Sequence, residues 1–501
     1  MNPLLTRRRF LAATAMAVPL GGIGASAAPA ATGHPTTLIA ARHTLEVLGK
    51  PATVLGVRQP DDMPGLVATV DRPFRVHLEN HLSEPTLIHW HGLKPPYRQD
   101  GVPGISAPPI APGGSAEYDF PLDFPGTFWM HSHMGFQEQR LLDAPLIIHS
   151  AADLRADRQE IVLLLHDFSF KSPRDIFAAL RKRSGMAGMG GTGGVNMGGH
   201  GAMGGMMAPG MKMGGTTAGG MASGMKAGSM AMDLNDVVFD AFLANDRTLA
   251  DPQVVRVAPG GRLRLRIINA AAASNFRLDL GGLAAELVAV DGHPVQPVRG
   301  SAFPIAMAQR LDLLVQLPPG QGAHPVLAVL EGERKQTGII LATAQAPIGK
   351  IGTEAARSAA PLGFGMERAL HAAAPLAPRP VDRTHRIDLT GSMEGYVWSL
   401  NGVTYGHDTP LMVAKGERVA LIMRNRTMMS HPMHLHGHFF QVAAFNGAKL
   451  AGAMRDTVLV PPMATVAIAF DADNPGRWAF HCHNLYHMQA GMMTTVQYTK
   501  F

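Results

Sequence analysis

The most constraining feature of the sequence is a short segment near its carboxyl end, residues 478–493, which reads WAFHCHNLYHMQAGMM. It holds the only cysteine of the chain, three histidines and three methionines, of which the candidate ligands are Cys482, His481, His483, His487 and Met492. A thiolate, an imidazole and a thioether are the ligand types of a blue-copper electron-transfer site, which needs a second histidine from elsewhere. The segment therefore predicts such a site, although a lone cysteine is more often a small buried apolar residue.

The apolar residues before the cysteine, 478–480, predict a β-strand. Neighbouring side chains of a strand point to opposite faces. Cys482 would then face one way, while His481 and His483 face the other. One tripeptide would connect two metal centres through covalent bonds.

Four separate His-X-His pairs are spread over the chain, two towards each end: His89 and His91, His131 and His133, His434 and His436, and His481 and His483. A fifth case, His436 and His438, overlaps the third pair and is treated as incidental. On a strand, both imidazoles of a pair lie on one face, about 6–7 Å apart. One such pair alone is more simply explained as two surface histidines. Four pairs supply eight nitrogen ligands, enough for three coppers that each keep an open position for oxygen. The first and last parts of the chain must therefore meet.

Composition favours an all-β protein. The 501 residues are 46% hydrophobic and only 16% charged, against a usual charged share of about 25%. Many turns are indicated by 56 glycines and 38 prolines, and short strand-like runs recur throughout. The runs divide into units at 34–150, 158–345 and 381–501, with an Ala- and Pro-rich linker at 346–380. A single cysteine excludes a disulfide within the chain.

The amino terminus resembles an export signal. Three arginines at positions 7–9 precede an apolar, small-residue run, which predicts a twin-arginine signal over residues 1–28 and a periplasmic protein. Those arginines supply half of the formal net charge of +6, so the remaining chain is mildly basic and no nucleic-acid partner is indicated. No later stretch is long and apolar enough to span a membrane.

A low-complexity insert, residues 186–232, contains 12 of the chain's 30 methionines among many glycines. Its glycine content argues against a stable helix or a packed core. One interpretation is a soft thioether surface that holds Cu(I), with His200 as a helper. The other interpretation is a flexible loop that binds no metal.

The motifs HWHG, HSH, HPMHLHGH and HCHNLYHMQAGM resemble the four copper motifs of the multicopper oxidases. The sequence GFQEQ at 135–139, the methionine-rich insert and the twin-arginine start are similar to the CopA-type copper-resistance oxidases. The resemblance implies three cupredoxin-like Greek-key β-sandwich domains, with the insert in the second and the type 1 copper in the third.

The resemblance also implies four copper ions and their ligands. The type 1 copper would be bound by His431, Cys482 and His487, with Met492 as the weak axial ligand. The type 2 copper would be bound by His89 and His434. One type 3 copper would be bound by His91, His131 and His483, and the other by His133, His436 and His481. Such a set collects four electrons from substrate and reduces dioxygen to water.

Oxygen reduction also needs protons, and here the sequence departs from the family. Asp100 matches the acidic residue that the family places beside the cluster, although a simple turn aspartate before glycine is the alternative. Relatives often carry a carboxylate just after the position of His487, whereas this chain has Met488 and Gln489. Water or Glu138 would have to substitute.

The substrate is less constrained. The methionine-rich insert, with Met428, Met429 and Met433 beside the type 1 motif, favours a cuprous oxidase that converts Cu(I) to Cu(II) in copper resistance. A laccase-like oxidase of phenols and aromatic amines is the second hypothesis. A copper-sequestering protein is a third, and a copper-free scaffold is disfavoured because all ligands are present. A monomer is expected.

Overall fold

The computed structural model describes residues 35–70, 72–186 and 234–501. The predicted export signal, and all but the first residue of the predicted methionine-rich insert, lie outside the described residues. The prediction of an all-β fold is confirmed: the described chain forms three units, each of two packed sheets. No helix in these ranges is both long and apolar enough to cross a bilayer.

The first unit packs two four-stranded sheets around one core. Its strands are β1 (Thr36–Val47), β2 (Lys50–Arg58), β3 (Leu66–Thr69), β4 (Pro73–Asn80), β5 (Ile88–His91), β6 (Ser115–Pro121), β7 (Gly126–Ser132) and β8 (Asp143–His149). The sheet orders are β2-β1-β4-β6 and β3-β8-β7-β5. The alternating residues of β4 bury Phe74, Val76 and Leu78 against Trp90 and the rest of the core. Both β5 and β7 are buried along their whole length.

The second unit has a six-stranded and a five-stranded sheet. Its strands are β9 (Gln159–Phe168), β10 (Ala241–Ala244), β11 (Val254–Arg256), β12 (Arg262–Asn269), β13 (Phe276–Asp279), β14 (Ala285–Val290), β15 (His293–Gly300), β16 (Ala302–Ile305), β17 (Arg310–Gln316), β18 (Ala323–Leu330) and β19 (Gln336–Ala342). The orders are β10-β9-β12-β17-β14-β15 and β11-β19-β18-β13-β16. Helix α1 (Ala151–Arg155) precedes the unit, and α2 (Pro173–Met186) follows β9.

The arginine face of β12 passes from exposed at Arg262 to fully buried at Arg266. The guanidinium of Arg266 binds Glu160 and Asp312, and it donates to Thr127 of the first unit at 2.9 Å. The opposite face, including Leu265, packs in the core of the second unit. Both faces of this strand are therefore used, one for the core and one for contact with the first unit.

The third unit again has two sheets. Its strands are β20 (Arg383–Ser392), β21 (Val397–Leu400), β22 (Leu411–Val413), β23 (Arg418–Asn425), β24 (His431–Leu435), β25 (Phe440–Phe445), β26 (Ala448–Lys449), β27 (Met454–Arg455), β28 (Thr457–Val460), β29 (Thr465–Asp471), β30 (Arg477–Cys482) and β31 (Met493–Tyr498). One sheet runs β21-β20-β23-β29-β25-β26, with β27 beside β25, and the other runs β22-β31-β30-β24-β28. Helix α3 (Gly365–Ala369) precedes the unit and α4 (Leu485–Gln489) follows β30.

The three units share one topological feature. The first strand of each unit pairs in parallel with a later strand of the same sheet: β1 with β4, β9 with β12 and β20 with β23. The segment between the second and third units packs on both, because the N–H of Leu362 donates to Glu331 of the second unit at 2.5 Å and Glu367 binds Arg455 of the third. The first and third units also meet directly, where Lys94 pairs with Asp473.

Candidate metal centres

The smaller ligand group, which we call the cysteine cluster, consists of His431, Cys482 and His487. His431 begins β24, Cys482 ends β30, and His487 lies in α4; all three side chains are fully buried. The two Nδ1 atoms are 3.1 Å apart, and the cysteine Sγ is 3.7 Å from each of them. A sulfur and two imidazole nitrogens thus converge on one point, which is the donor set of a blue-copper site.

A helix cap brings His487 back towards the cysteine. The side chain of Asn484 accepts hydrogen bonds from the backbone N–H groups of Tyr486 and His487, which begins α4 immediately after β30. Met492, the predicted axial ligand, is fully buried, and its backbone carbonyl accepts from the N–H of Cys482 at 3.1 Å. The structure therefore gathers His431, Cys482 and His487 around one buried position, and Met492 adjoins Cys482 through its backbone.

The outer nitrogens of the two histidines are held by other side chains. Thr427 Oγ1 lies 2.8 Å from Nε2 of His431, and Asp236 Oδ2 lies 2.7 Å from Nε2 of His487. The hydroxyl of Tyr396 also donates to Asp236 Oδ2, at 2.5 Å. Since their Nε2 atoms are occupied, both histidines direct Nδ1 at the thiol. Sequence reasoning missed Asp236, whose one signal is its place just after the insert.

The larger group, the eight-histidine cluster, gathers all four His-X-His pairs. Strand register explains the convergence: His89 is opposite His131 in the first unit, and His434 is opposite His481 in the third. Donor atoms lie within 4.8 Å of one another in three sets: His89, His91 and His434; His91, His131 and His483; and His133, His436 and His481. As predicted from strand geometry, the cysteine faces one centre and its two neighbouring histidines face the other.

Unpartnered nitrogens show that this cluster fits a metal. The Nδ1 of His89 donates to the Asp100 carbonyl at 2.8 Å, and the Nδ1 of His434 donates to the Asp456 carbonyl at 2.9 Å. Their Nε2 atoms, and that of His133, are buried without a hydrogen-bond partner among the described residues. Buried lone pairs of this kind are unfavourable unless a cation or a donor meets them.

Burial keeps the ligands in the state that binds metal. Together with neighbouring imidazoles, it holds the pKa well below its usual value for His91, His131, His133, His436 and His483. Burial and the His434 imidazole likewise lower the pKa of His481 to about 3. Burial raises the pKa of the Cys482 thiol, so a metal cation is needed to stabilise the thiolate there.

Two buried carboxyl groups touch the eight-histidine cluster. Asp100 lies between two of its histidines, with Oδ2 2.9 Å from His436 Nδ1 and Oδ1 3.2 Å from His89 Nδ1. Glu138 Oε2 lies 2.9 Å from Nδ1 of His131, on another side. Burial and the nearby charges of Asp143 and Asp167 raise the pKa of Glu138 well above its usual value. These surroundings therefore favour the neutral form of the Glu138 carboxyl group beside the cluster.

Met488 and Gln489, which follow His487, supply no carboxyl group of the kind that relatives often carry there. The side chain of Gln489 instead donates to the backbone carbonyl of Gly135 at 2.9 Å, which joins the third unit to the first.

Asp456 is a further acidic residue in contact with the cluster, with Oδ1 3.0 Å from Nε2 of His91, and sequence reasoning missed it. Asp456 lies outside every histidine motif, so no local pattern marks it.

Three β-sandwich units, with two metal-ligand clusters joined through His481, Cys482 and His483, define a multicopper oxidase. Family models described as multicopper oxidase match residues 40–153, 215–345 and 378–500. The chain belongs to this family, whose members are copper-dependent oxidoreductases that use dioxygen as oxidant.

Within the family, the chain is a CopA-like multicopper oxidase. It is 32% identical to the multicopper oxidase MmcO of Mycobacterium tuberculosis over 454 residues, covering 87% of this chain and 81% of that protein. It is 27% identical to copper resistance protein A of Pseudomonas syringae pv. tomato, covering 99% of this chain and all of the relative. The crystal structure of Fet3p, described as a multicopper oxidase that functions in iron import, shares the fold, with a TM-score of 0.72 at 19% identity over 93% of this chain and 90% of that one.

Proposed function

We propose that this protein is a periplasmic cuprous oxidase, which oxidises Cu(I) as substrate and passes the electrons to dioxygen. One observation carries the proposal: described residues on both sides of the methionine-rich insert contact the surroundings of the cysteine cluster. Helix α2, which leads into the insert, packs Phe177 against Tyr396 and Tyr486, two residues next to His487 in the fold. Asp236, just after the insert, binds His487 directly.

The environment of His487 suits a cationic substrate. The second oxygen of Asp236, Oδ1, is buried and has no hydrogen-bond partner among the described residues. Close to His431, Met428 exposes 59% of its surface and Met429 is nearly buried. A carboxylate oxygen and thioethers near the same cluster offer ligands to a copper ion, and thioethers favour Cu(I).

We assign four coppers to these groups. His431, Cys482, His487 and axial Met492 would hold the type 1 copper; His89 and His434 the type 2 copper; His91, His131 and His483 one type 3 copper; and His133, His436 and His481 the other. When bound, the four coppers would each supply one electron, taken one at a time from substrate at the type 1 position, so that together they would meet the four-electron reduction of dioxygen to water. The fully buried thiol and imidazoles support this assignment.

Two carboxyl groups of the chain are proposed to move protons. Asp100 lies between a type 3 ligand and a type 2 ligand, because its Oδ2 accepts from His436 Nδ1 and its carbonyl accepts from His89 Nδ1, so it is placed to pass protons between these two positions. Glu138 lies beside the cluster, with Oε2 2.9 Å from Nδ1 of His131, and its carboxyl group is placed to supply a proton there. Glu138 would thereby take the role that relatives give to a carboxylate after the last type 1 histidine.

Oxygen uptake with Cu(I) and with a phenol, measured in parallel on fully copper-loaded protein, tests the proposal. A variant that replaces residues 186–232 by a short Gly-Ser linker should lose Cu(I) oxidation severalfold while keeping phenol oxidation. A second variant, with the insert's methionines changed to leucine, keeps the length and removes only the thioethers.

Equal losses with both substrates would contradict a cuprous oxidase and favour a laccase-like enzyme. Many bound coppers with negligible oxygen uptake would instead indicate a sequestering protein. Sedimentation of the loaded protein tests the expected monomer, and fractionation of cells tests export by the twin-arginine route.

A further inference from the structure

The second unit contributes no residue to any ligand group found among the described residues, yet it reaches the eight-histidine cluster through one buried arginine. Arg310 begins β17, and its side chain is fully buried. Its guanidinium binds Asp456 of the third unit in two places: Nη1 donates to Oδ1 at 2.9 Å, and Nη2 donates to Oδ2. Such a two-pronged pair fixes the carboxylate in position as well as neutralising its charge.

Asp456 in turn contacts two histidines of the cluster. Its Oδ1 accepts from Nε2 of His91 at 3.0 Å, and its backbone carbonyl accepts from Nδ1 of His434 at 2.9 Å. The two imidazole rings are stacked, with centroids 3.8 Å apart and planes at 16°. His91 and His434 belong to different coppers in the proposed assignment, so one residue touches ligands of two metal positions.

These contacts decide which nitrogen of each histidine is free to bind metal. Because His91 donates from Nε2, its lone pair is on Nδ1, which lies 3.4 Å from Nε2 of His131 inside the cluster. Because His434 donates from Nδ1, its lone pair is on the unpartnered Nε2. The tautomer of a ligating histidine is set by the hydrogen bond that its other nitrogen makes.

Residues of the first unit also pack against Arg310 and Asp456. Gly92, which follows His91, has a φ of +88°, and a Cβ there would lie 2.5 Å from Nη2 of Arg310 and 2.8 Å from Oδ2 of Asp456. The Nε of Arg310 donates to the Thr127 carbonyl at 3.2 Å. All three units therefore meet at this arginine and aspartate, directly behind two ligands.

We propose that Asp456, held by Arg310, is a positioning residue for His91 and His434, and that the second unit controls copper binding at the eight-histidine cluster through it. The inference rests on the proposed assignment of copper to this cluster. The cysteine cluster has its own supports, Thr427 and Asp236, and should not depend on Asp456.

Copper binding by the full-length chain tests this role. For Asp456→Ala, we expect the affinity of the eight-histidine cluster for copper to fall by about 10–100-fold, as is usual when a ligand's outer partner is removed. Affinity is measured by competition with a copper chelator, and occupancy of the type 2 position by electron paramagnetic resonance. The blue absorption per chain, which reports the cysteine cluster, should stay unchanged.

Two further variants separate positioning from general stability. Asp456→Asn keeps an acceptor oxygen for His91 but offers no charge to Arg310. Its affinity for copper at the eight-histidine cluster should therefore lie between those of the parent and Asp456→Ala. Glu367→Gln removes a comparable buried charge from the adjacent Arg455, whose contacts are with Glu367 and Asp291 rather than a histidine. It should lower the unfolding temperature without lowering the cluster's affinity for copper.

The inference would be overturned if the eight-histidine cluster of Asp456→Ala bound copper as tightly as that of the parent protein. So would a parallel loss of blue absorption and cluster copper in both the Asp456→Ala and Glu367→Gln proteins. If Asp456→Ala does not fold, the same criteria apply to Asp456→Asn. A parent protein that binds no copper at the eight-histidine cluster would instead refute the proposed function.

Discussion

Replacing Asp236 by asparagine should change the potential and the substrate preference of the cysteine cluster without disturbing its shape. Asparagine has nearly the same volume, and its side-chain oxygen can still accept from Nε2 of His487 and from the Tyr396 hydroxyl. The variant therefore removes one buried negative charge and little else. That charge favours the more positive, oxidised state of a metal at His487.

The expected shift in the type 1 potential follows from the hydrogen bond between His487 and residue 236. A bond to a charged group contributes about 1.5–3 kcal/mol, and one between neutral groups about 0.5–1.5 kcal/mol. A difference of roughly 1.4 kcal/mol is a factor of ten in an equilibrium constant, or about 60 mV for a one-electron couple. We expect Asp236→Asn to raise the type 1 potential by about that amount.

Redox titration of the blue absorption measures the potential, and oxygen uptake measures kcat/KM for Cu(I) and for a phenol. Cu(I) turnover should fall roughly tenfold because the cation loses an attractive charge, whereas phenol turnover should not fall. Asp240→Asn is the control for loss of a nearby charge: it removes an exposed carboxylate that accepts from Ser169 and Phe170 and does not contact His487. An unchanged potential, or equal losses with both substrates, would refute the reasoning.

Two further predictions concern carboxyl groups. Glu138→Gln keeps a side chain beside His131 but cannot release a proton, so reoxidation by dioxygen should slow by roughly a hundredfold. In stopped-flow experiments, reduction of the blue absorption should keep its rate; a slowed reduction would contradict the role. Burial alone would raise the pKa of Glu160, but hydrogen bonds from His149 and Arg266 outweigh it and lower that pKa to about 2. Ionised Glu160 thus stabilises the folded protein fully above the pKa of an unfolded glutamate, about 4.3, and this contribution is lost as the pH falls towards 2. Glu160→Gln should reduce the fall in the free energy of unfolding, measured in urea, between about pH 4.3 and pH 2. The same fall in parent and variant would contradict this role of Glu160.

Strand alternation explains how much of the site could be predicted. The period of two correctly separates Cys482 from His481 and His483, because that argument needs only local geometry. The pairing of His89 with His131, or of His434 with His481, depends on which strands become neighbours, which no local pattern encodes. The resemblance to a known family supplied that information instead.

The missed residues share a physical cause. Asp236 and Asp456 act on histidines of other units or motifs, and each stands in sequence beside ordinary residues. The arginines of β12 show the same limit, because alternation alone suggests a solvent-facing row, while Arg266 is fully buried against the first unit. Long-range polar contacts between units therefore require the structure.

The division of the eight-histidine cluster between the first and third units has a consequence for biosynthesis. A ribosome completes His89 and His131 long before it reaches His434, and the last pair, His481 and His483, comes only near the end of the chain. A nascent polypeptide therefore lacks part of the site until the last pair has been made. Metal acquisition by the whole cluster must wait for that pair and for the outer units to close on each other.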